Sequence, residues 1–264
     1  MTETRLWDRA ADLPMPVDRR PRPELVTLPA DGLPTLDELF TFMRDAELRF
    51  DTLRIRIEER SFTARGEHRV VVETAIRHPG DARVTTSEPG RGAAGNYELW
   101  LSDGEVVRTY SGSHRLGTER PMRRGVVGVS GRESRDLPGP SRVYSPLTAL
   151  PAETLPEAFI HPAGYCQNVL ATGACAVLGL ADVAGREAIV VTCDHPRTIE
   201  VTADRPDFRI RVWVDRADGV ILRLEESMGG TVTRDARITE YDPDALLAPN
   251  TFDFTFPTGT AMLF

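Results

Sequence analysis

Apolar and polar residues alternate most regularly in the last quarter of the chain. There Phe208, Ile210, Val212 and Val214 fall on one side, with Arg209, Arg211 and Asp215 on the other. Period-two alternation is the mark of a half-buried strand. Asp218-Gly219 then reads as a turn, because glycine reaches positive φ without steric cost, and Val220, Leu222 and Leu224 continue the apolar phase in a second strand. Phe252-Asp-Phe-Thr-Phe-Pro257 alternates in the same way and predicts a closing strand.

Earlier in the chain the pattern changes twice. Residues 1–34 carry six prolines among arginines and acids and predict an extended arm. Thr35-Leu-Asp-Glu38 forms a capping box, and Leu36, Leu39, Phe40, Met43 and Phe50 follow at roughly helical spacing, so one amphipathic helix is expected over Thr35 to Arg49. From Asp51 the period becomes two. Leu53, Ile55 and Ile57 alternate with Arg54, Arg56 and Glu58, and Val70, Val72, Thr74 and Ile76 lie in phase beyond an Arg65-Gly66 turn. Arg83 to Glu88, Tyr97 to Leu101 and Glu105 to Tyr110 extend the meander; Tyr97, Leu99 and Leu101 share a face and Trp100 takes the other. Residues 111–165 lose the alternation and gather Gly, Pro and Ser, which predicts loops or short lid-like helices carrying Leu147, Leu150, Leu155, Phe159 and Ile160. Strands return at Cys175 to Leu180 and Ala188 to Cys193, for ten or eleven in all. The fold class is therefore mainly β (α+β), a strongly curved antiparallel sheet in one domain over 35–264, with a lid or insert at about 111–170.

Composition narrows the chemistry. With 264 residues and a net charge of -8, the chain is acidic, which argues against a general nucleic-acid binder. All 32 cationic side chains are arginine, so lysine-based covalent catalysis is excluded. No window is apolar enough for a transmembrane segment, and the first ten residues lack the apolar core of a secretory signal, so a cytoplasmic location is expected as written. Cys166, Cys175 and Cys193 have no zinc-ligand spacing; they read as small buried or half-buried thiols, with a Cys166–Cys175 disulfide as the alternative.

The motifs that resemble catalytic ones fail on context. Gly90-Arg-Gly-Ala-Ala-Gly95 matches the dinucleotide spacing but precedes a strand where the motif needs a helix N-terminus. Gly128-Val-Ser130-Gly131 lacks the spacer of a nucleophile elbow. The five histidines are scattered, and His195-Pro196 reads as a strand end. Asp215 and Asp218 read as turn residues rather than a catalytic pair. Arg115, Arg120, Arg123, Arg124, Arg132, Arg135 and Arg142 outnumber three nearby acids and form the one basic stretch, better read as a solvated loop than as an anion site. Trp100 and Trp213 sit on the polar face of their strands, where a covering arm or a contact surface would account for them. No enzyme, metal or cofactor is implied.

Three segments carry a family resemblance. Val183-Ala-Gly-Arg-Glu-Ala-Ile-Val-Val191, Val212-Trp-Val-Asp215 through Asp218-Gly219 to Leu224, and Phe252-Asp-Phe-Thr-Phe-Pro-Thr-Gly259 resemble fold signatures of the periplasmic lipoprotein carrier superfamily. These LolA-like proteins include outer-membrane lipoprotein-sorting carriers, sigma-factor regulators and mycobacterial lipid-binding lipoproteins. The resemblance covers roughly residues 35–260. It implies a half-open β-barrel whose concave apolar face is covered by helices and receives acyl chains or another hydrophobic segment. It also implies a cell-envelope location should the true start differ from the one given. The arm and the arginine-rich middle depart from the pattern.

Together these readings predict non-enzymatic binding of a lipid or acyl chain between sheet and lid. The expected lining is Ile55, Ile57, Val70, Val72, Tyr97, Leu99, Leu101, Val212, Leu222 and Leu224, which share an inward phase, with Leu150, Leu155 and Phe159 from the lid. The same residues would equally line a plain core. The alternative is a regulatory or scaffold protein that grips a protein partner with this fold.

Overall fold

A computed structural model describes residues 25–89, 96–122, 146–194, 196 and 207–263. Residues 1–24 of the arm, the Gly90–Gly95 loop, Gly128–Gly131, five of the seven arginines of the basic stretch (Arg123, Arg124, Arg132, Arg135 and Arg142) and His195 lie outside the described residues.

The chain opens with α1 (Leu36–Arg44), closed at its N-terminus by the expected capping box: Glu38 N–H donates to Thr35 Oγ1 at 3.3 Å, and Thr35 N–H donates to Glu38 Oε2 at 2.7 Å. The helix is shorter than predicted. It ends at Asp45, and Ala46–Arg49 tighten into a 3₁₀ turn that keeps the apolar face buried while turning Glu47 inward. Six strands follow as a meander: β1 (Thr52–Thr63), β2 (Gly66–Arg77), β3 (Asp81–Ser87), β4 (Tyr97–Asp103), β5 (Val106–Ser111) and β6 (Leu116–Pro121). The sequence pattern does not show β6, whose Leu-Gly-Thr-Glu-Arg-Pro has no apolar alternation.

Two short helices, α2 (Leu155–Ile160) and α3 (Pro162–Asn168), then a 3₁₀ turn at Leu170–Thr172, lead into β7 (Ala174–Val183). Proline at the start of each helix fits its missing N–H. A second meander runs through β8 (Arg186–Asp194), β9 (Phe208–Asp215), β10 (Ile221–Met228) and β11 (Thr231–Pro243), and the short β12 (Ala261–Leu263) closes the set. Among the described residues the sheet has twelve strands in the order β12-β6-β5-β4-β3-β2-β1-β11-β10-β9-β8-β7. The joint between the meanders is β1 on β11, and all pairs are antiparallel except β12 on β6. β7 and β12 stand at opposite ends and do not pair, so the sheet is curved and half-open rather than a closed barrel.

Register determines which residues share a face. Ile57 pairs with Val72 and Ile238, Val72 with Thr86, and Leu224 with both Ala236 and Val212. This inner face meets Leu39, Phe42 and Met43 of α1, Leu155, Phe159 and Ile160 of α2, and Cys166 of α3 in one buried cluster. The Asp218-Gly219 turn lies under α1: Gly219 has φ 79°, and a Cβ there would meet the Phe42 ring at 3.1 Å. A second cluster occupies the opposite face, where Leu99, Leu101 and Tyr110 are covered by Tyr97, Phe254 and Phe256.

That second cluster corrects two expectations. Phe252–Pro257 is not a strand; its alternating rings reach the outer face of β4 and β5, with Phe254 and Phe256 edge-on at 5.1 Å and Phe254 5.7 Å from Tyr110. Tyr97, Leu99 and Leu101 belong to this outer cluster and not to the inward phase. Alternation shows that three residues share a face but cannot say which face, and β4 has apolar cover on both. Among the described residues no helix is long and apolar enough to cross a membrane.

Candidate binding cavity

The helices cover only part of the inner face. α2 packs on β10, and α1 and α3 pack on each other and toward β7, while among the described residues the turn that leads into α2 and the first residues of that helix roof part of the inner surface of β2 to β6. Between that roof and the sheet lies a cavity of about 530 Å³. Its floor comes from β2, β3 and β4 through Val70, Val72, Val84 and Trp100; its roof is Pro151, Glu153, Thr154, Leu155 and Pro156; Leu116 and Leu263 close the β6 side.

The cavity is amphipathic. Hydroxyls of Thr86, Thr109, Ser111 and Thr118 share the wall with the valines, and Thr109 and Thr118 hydrogen-bond across the strands at 2.6 Å. Its charged residues are Glu59, Glu98, Glu153 and Arg234. Arg234 Nε donates to Glu59 Oε1 at 2.6 Å and Nη1 to Glu226 Oε1 at 3.3 Å, so its positive charge is matched inside the half-barrel. Although burial opposes its charge, the two carboxylates hold the Arg234 guanidinium above its ordinary pKa. The hydroxyl of Tyr165, on α3, is buried and has no hydrogen-bond partner among the described residues; burial, with Glu226 nearby, pushes the phenol well above its usual pKa.

The residues named from sequence divide into three sets. Val70, Val72 and Leu155 line the cavity; Leu99 borders it, although its side chain joins the outer cluster. Ile55, Ile57, Phe159, Val212, Leu222 and Leu224 are at most 2% exposed and fill the closed half under the helices, together with Leu150. Tyr97 and Leu101 lie on the outer face. Trp100, expected on a polar face, is a wall of the cavity. Trp213 lies on the outer face, with the Arg223 guanidinium 4.4 Å and that of Arg211 5.9 Å from its ring. The polar wall escapes the sequence pattern because Glu59, Thr86 and Glu98 interrupt the apolar phase that marks inward residues. The signal available is that same phase, run on past its last aliphatic residue.

The roof is tied down by buried polar groups. Glu47, 2% exposed, accepts the Leu147 N–H on both carboxylate oxygens at 3.0 and 3.1 Å. His161 Nε2 lies 3.1 Å from Glu47 Oε2, off the line of a directed hydrogen bond. Thr148 Oγ1 accepts the Gly80 N–H at 2.8 Å and sits 2.8 Å from Nδ1 of His78, whose ring stacks on Phe50 at 5.4 Å.

Burial holds His78 below the usual histidine value of 6.5, with His161 adding to the effect and Glu47 and Asp51 opposing it. The folded state therefore binds fewer protons at this ring than the unfolded chain in the window just below 6.5, and stability falls as pH drops through it. Urea denaturation midpoints should decrease from neutral pH to mildly acidic pH, and His78→Asn should flatten that slope. An unchanged slope in the variant would remove His78 as its source.

The thiols differ from the predicted alternative. Cys166 is buried against Met43 at 3.7 Å between the sulfurs, and all three cysteines are free, so Cys166 and Cys175 are not bridged. Asp218 sits in the hairpin loop and Asp215 ends β9, and both pair with Arg186: Nε donates to Asp215 Oδ2 at 2.5 Å, and Nη2 donates to Asp215 Oδ1 at 3.0 Å and to Asp218 Oδ2 at 2.7 Å. Residues 25–34 of the arm are laid along the domain, with Arg49 donating to the Val26 carbonyl at 2.7 Å and Arg216 to that of Pro29 at 3.0 Å.

No protein-family model matches the sequence, and no curated protein matches it. Solved structures do. An uncharacterized conserved protein from Thermus thermophilus is 9% identical, with 87% of this chain and 99% of that one covered and a TM-score of 0.48. MucB is 14% identical over 83% of this chain and 62% of its own, at a TM-score of 0.46; its complex with MucA is matched too, at 0.44. A LolA superfamily protein from Nitrosomonas europaea is 12% identical over 84% and 99% of the two chains, at a TM-score of 0.33. At these identities and TM-scores the likeness concerns the course of the chain alone.

Proposed function

We propose that this protein binds an amphipathic small molecule, with a lipid or acyl chain as its apolar part, in the cavity between the concave sheet and the turn before α2. The observation that carries the reading is the cavity itself. Its 530 Å³ falls within the range of about 300 to 1,000 Å³ common to small-molecule sites. It is walled by Val70, Val72, Val84 and Trp100, with hydroxyls and carboxylates at its margin. Apolar walls take up the chain and the polar margin orients a head group.

Delipidated full-length protein should take up a fluorescent fatty acid or phospholipid and change the emission of Trp100. Val70→Trp, which fills the floor, should weaken uptake by about tenfold, or 1.4 kcal/mol. Parent protein that takes up neither probe would sink the reading.

A second reading rests on a different feature. β7 is an edge strand of ten residues whose Leu178 and Leu180 are 53% and 47% exposed, and such an edge accepts an added strand from an extended peptide. Native mass spectrometry of the purified protein separates the two: copurified lipid supports the first, a stoichiometric polypeptide the second.

A further inference from the structure

Cys175 and Cys193 face each other directly across β7 and β8. Residues opposed in an antiparallel pair have Cα atoms about 4.5 to 5.5 Å apart, within the span a disulfide bridges, and their side chains leave the same face. Both thiols also point at one atom. Cys175 Sγ donates to the Leu170 carbonyl at 3.0 Å, and Cys193 Sγ donates to it at 3.3 Å. The same oxygen accepts the Gly173 N–H at 3.1 Å. The corner is tightly filled: a Cβ on Gly173 would lie 2.5 Å from Cys193 Sγ and 2.6 Å from the Asp194 carbonyl. Leu170 is buried and begins the 3₁₀ turn that joins α3 to the edge strand, so two of the three donors that fix this joint are thiols.

The two cysteines are unequal in a useful way. Cys175 is partly exposed on the edge strand, and the neighbouring Cys193 thiol draws its own thiol below the usual value. Cys193 is fully buried, and its thiol is pushed up by the neighbouring Cys175 and by burial. A partly exposed thiol directly opposite a buried one is the arrangement of an attacking and a resolving cysteine. Cys166, buried against Met43, has no place in it.

We propose that Cys175 and Cys193 are a reversible dithiol–disulfide site for a small disulfide of the glutathione type, and that closing the bond releases the Leu170 joint. The Cys175 thiolate attacks one sulfur of the oxidant, forming a mixed disulfide and expelling one glutathione thiolate. Cys193 then gives up its proton and attacks Cys175 Sγ, expelling the second. Two protein thiols are oxidised and one glutathione disulfide is reduced to two glutathiones, which carry off the two protons. Neither sulfur keeps a hydrogen to donate, so the Leu170 carbonyl retains only the Gly173 N–H, and the segment that carries α2 and α3 loses two of its anchors.

The test is incubation of the folded full-length protein with glutathione disulfide, followed by intact-mass measurement and peptide mapping. The expected result is loss of two hydrogens, a Cys175–Cys193 linkage and Cys166 still free for alkylation after unfolding. Cys193→Ser should stop at a glutathione adduct on Cys175. Should that buried variant misfold, the map of the unsubstituted protein decides alone. A linkage through Cys166, a stable adduct without closure, or no reaction under excess oxidant would each overturn the site. Limited proteolysis tests its consequence: cleavage within 155–172 should be several-fold faster in the oxidised protein and return to the starting rate with dithiothreitol. An unchanged rate would overturn the release of the joint.

Discussion

Glu47→Ala is expected to destabilise the fold by about 3 kcal/mol, the upper end of the cost of leaving a buried polar group without its partner. Three losses add up. The Leu147 N–H is left without its two acceptor oxygens, His161 loses the carboxylate beside its Nε2, and a void opens where a side chain only 2% exposed had been. For a chain of this length such a change lowers Tm by about 6 to 12 °C. Glu47→Gln keeps an oxygen for Leu147 and should lose only about 1 kcal/mol, the value of an ordinary hydrogen bond. Urea denaturation of the two variants checks the order. An alanine variant within about 0.5 kcal/mol of the parent, the usual scale of inconsequential surface changes, would show that the roof is held by its apolar contacts alone.

Asp215→Ala should cost a similar amount, about 3 kcal/mol, for a different reason. The Asp215 carboxylate is 1% exposed, and besides Arg186 it accepts the N–H groups of Ala217 at 2.9 Å and Asp218 at 2.8 Å. Its removal orphans two backbone donors in the β9–β10 loop. The Arg186 guanidinium is less affected, being one-quarter exposed, still bonded to Asp218 and 4.5 Å from the Tyr241 ring, which keeps the cost below the upper end for a stranded charge. Asp215→Asn keeps one acceptor but sets an amide against Arg186, so it should fall between parent and alanine. Thermal unfolding followed by circular dichroism distinguishes the three. Equal melting of parent and Asp215→Ala would mean that glycine and packing under Phe42 hold the turn without the carboxylate.

The strands are legible in sequence where burial is one-sided. Phe208 to Val214 and Leu53 to Ile57 keep a strict phase because one face meets helices and the other meets water or ion pairs. The helix start is legible because Thr35 and Glu38 act locally. What stays hidden depends on contacts between distant residues. β6 is held by β5 and β12, not by its own pattern. The outward direction of Leu99 depends on phenylalanines more than 150 residues later. The cavity wall is hidden for a related reason: Glu59, Thr86 and Glu98 look solvent-facing in sequence, and only the register with Val70, Val72 and Trp100 places them around one cavity. The pairing of Cys175 with Cys193 likewise follows from strand register, which spacing along the chain cannot supply.

The seam at which Ile57 meets Ile238 has a consequence for how the chain is made. Each meander is built from neighbours in sequence and can pair strand by strand as it leaves the ribosome. The central ladder cannot be completed until residues up to Pro243 have been synthesised, about 180 after β1 is finished. Until then the apolar edge of β1 stands open, and closing so long a loop is the slow kind of folding event. Nascent chains truncated before β11 should therefore be the species most exposed to aggregation and most dependent on chaperones.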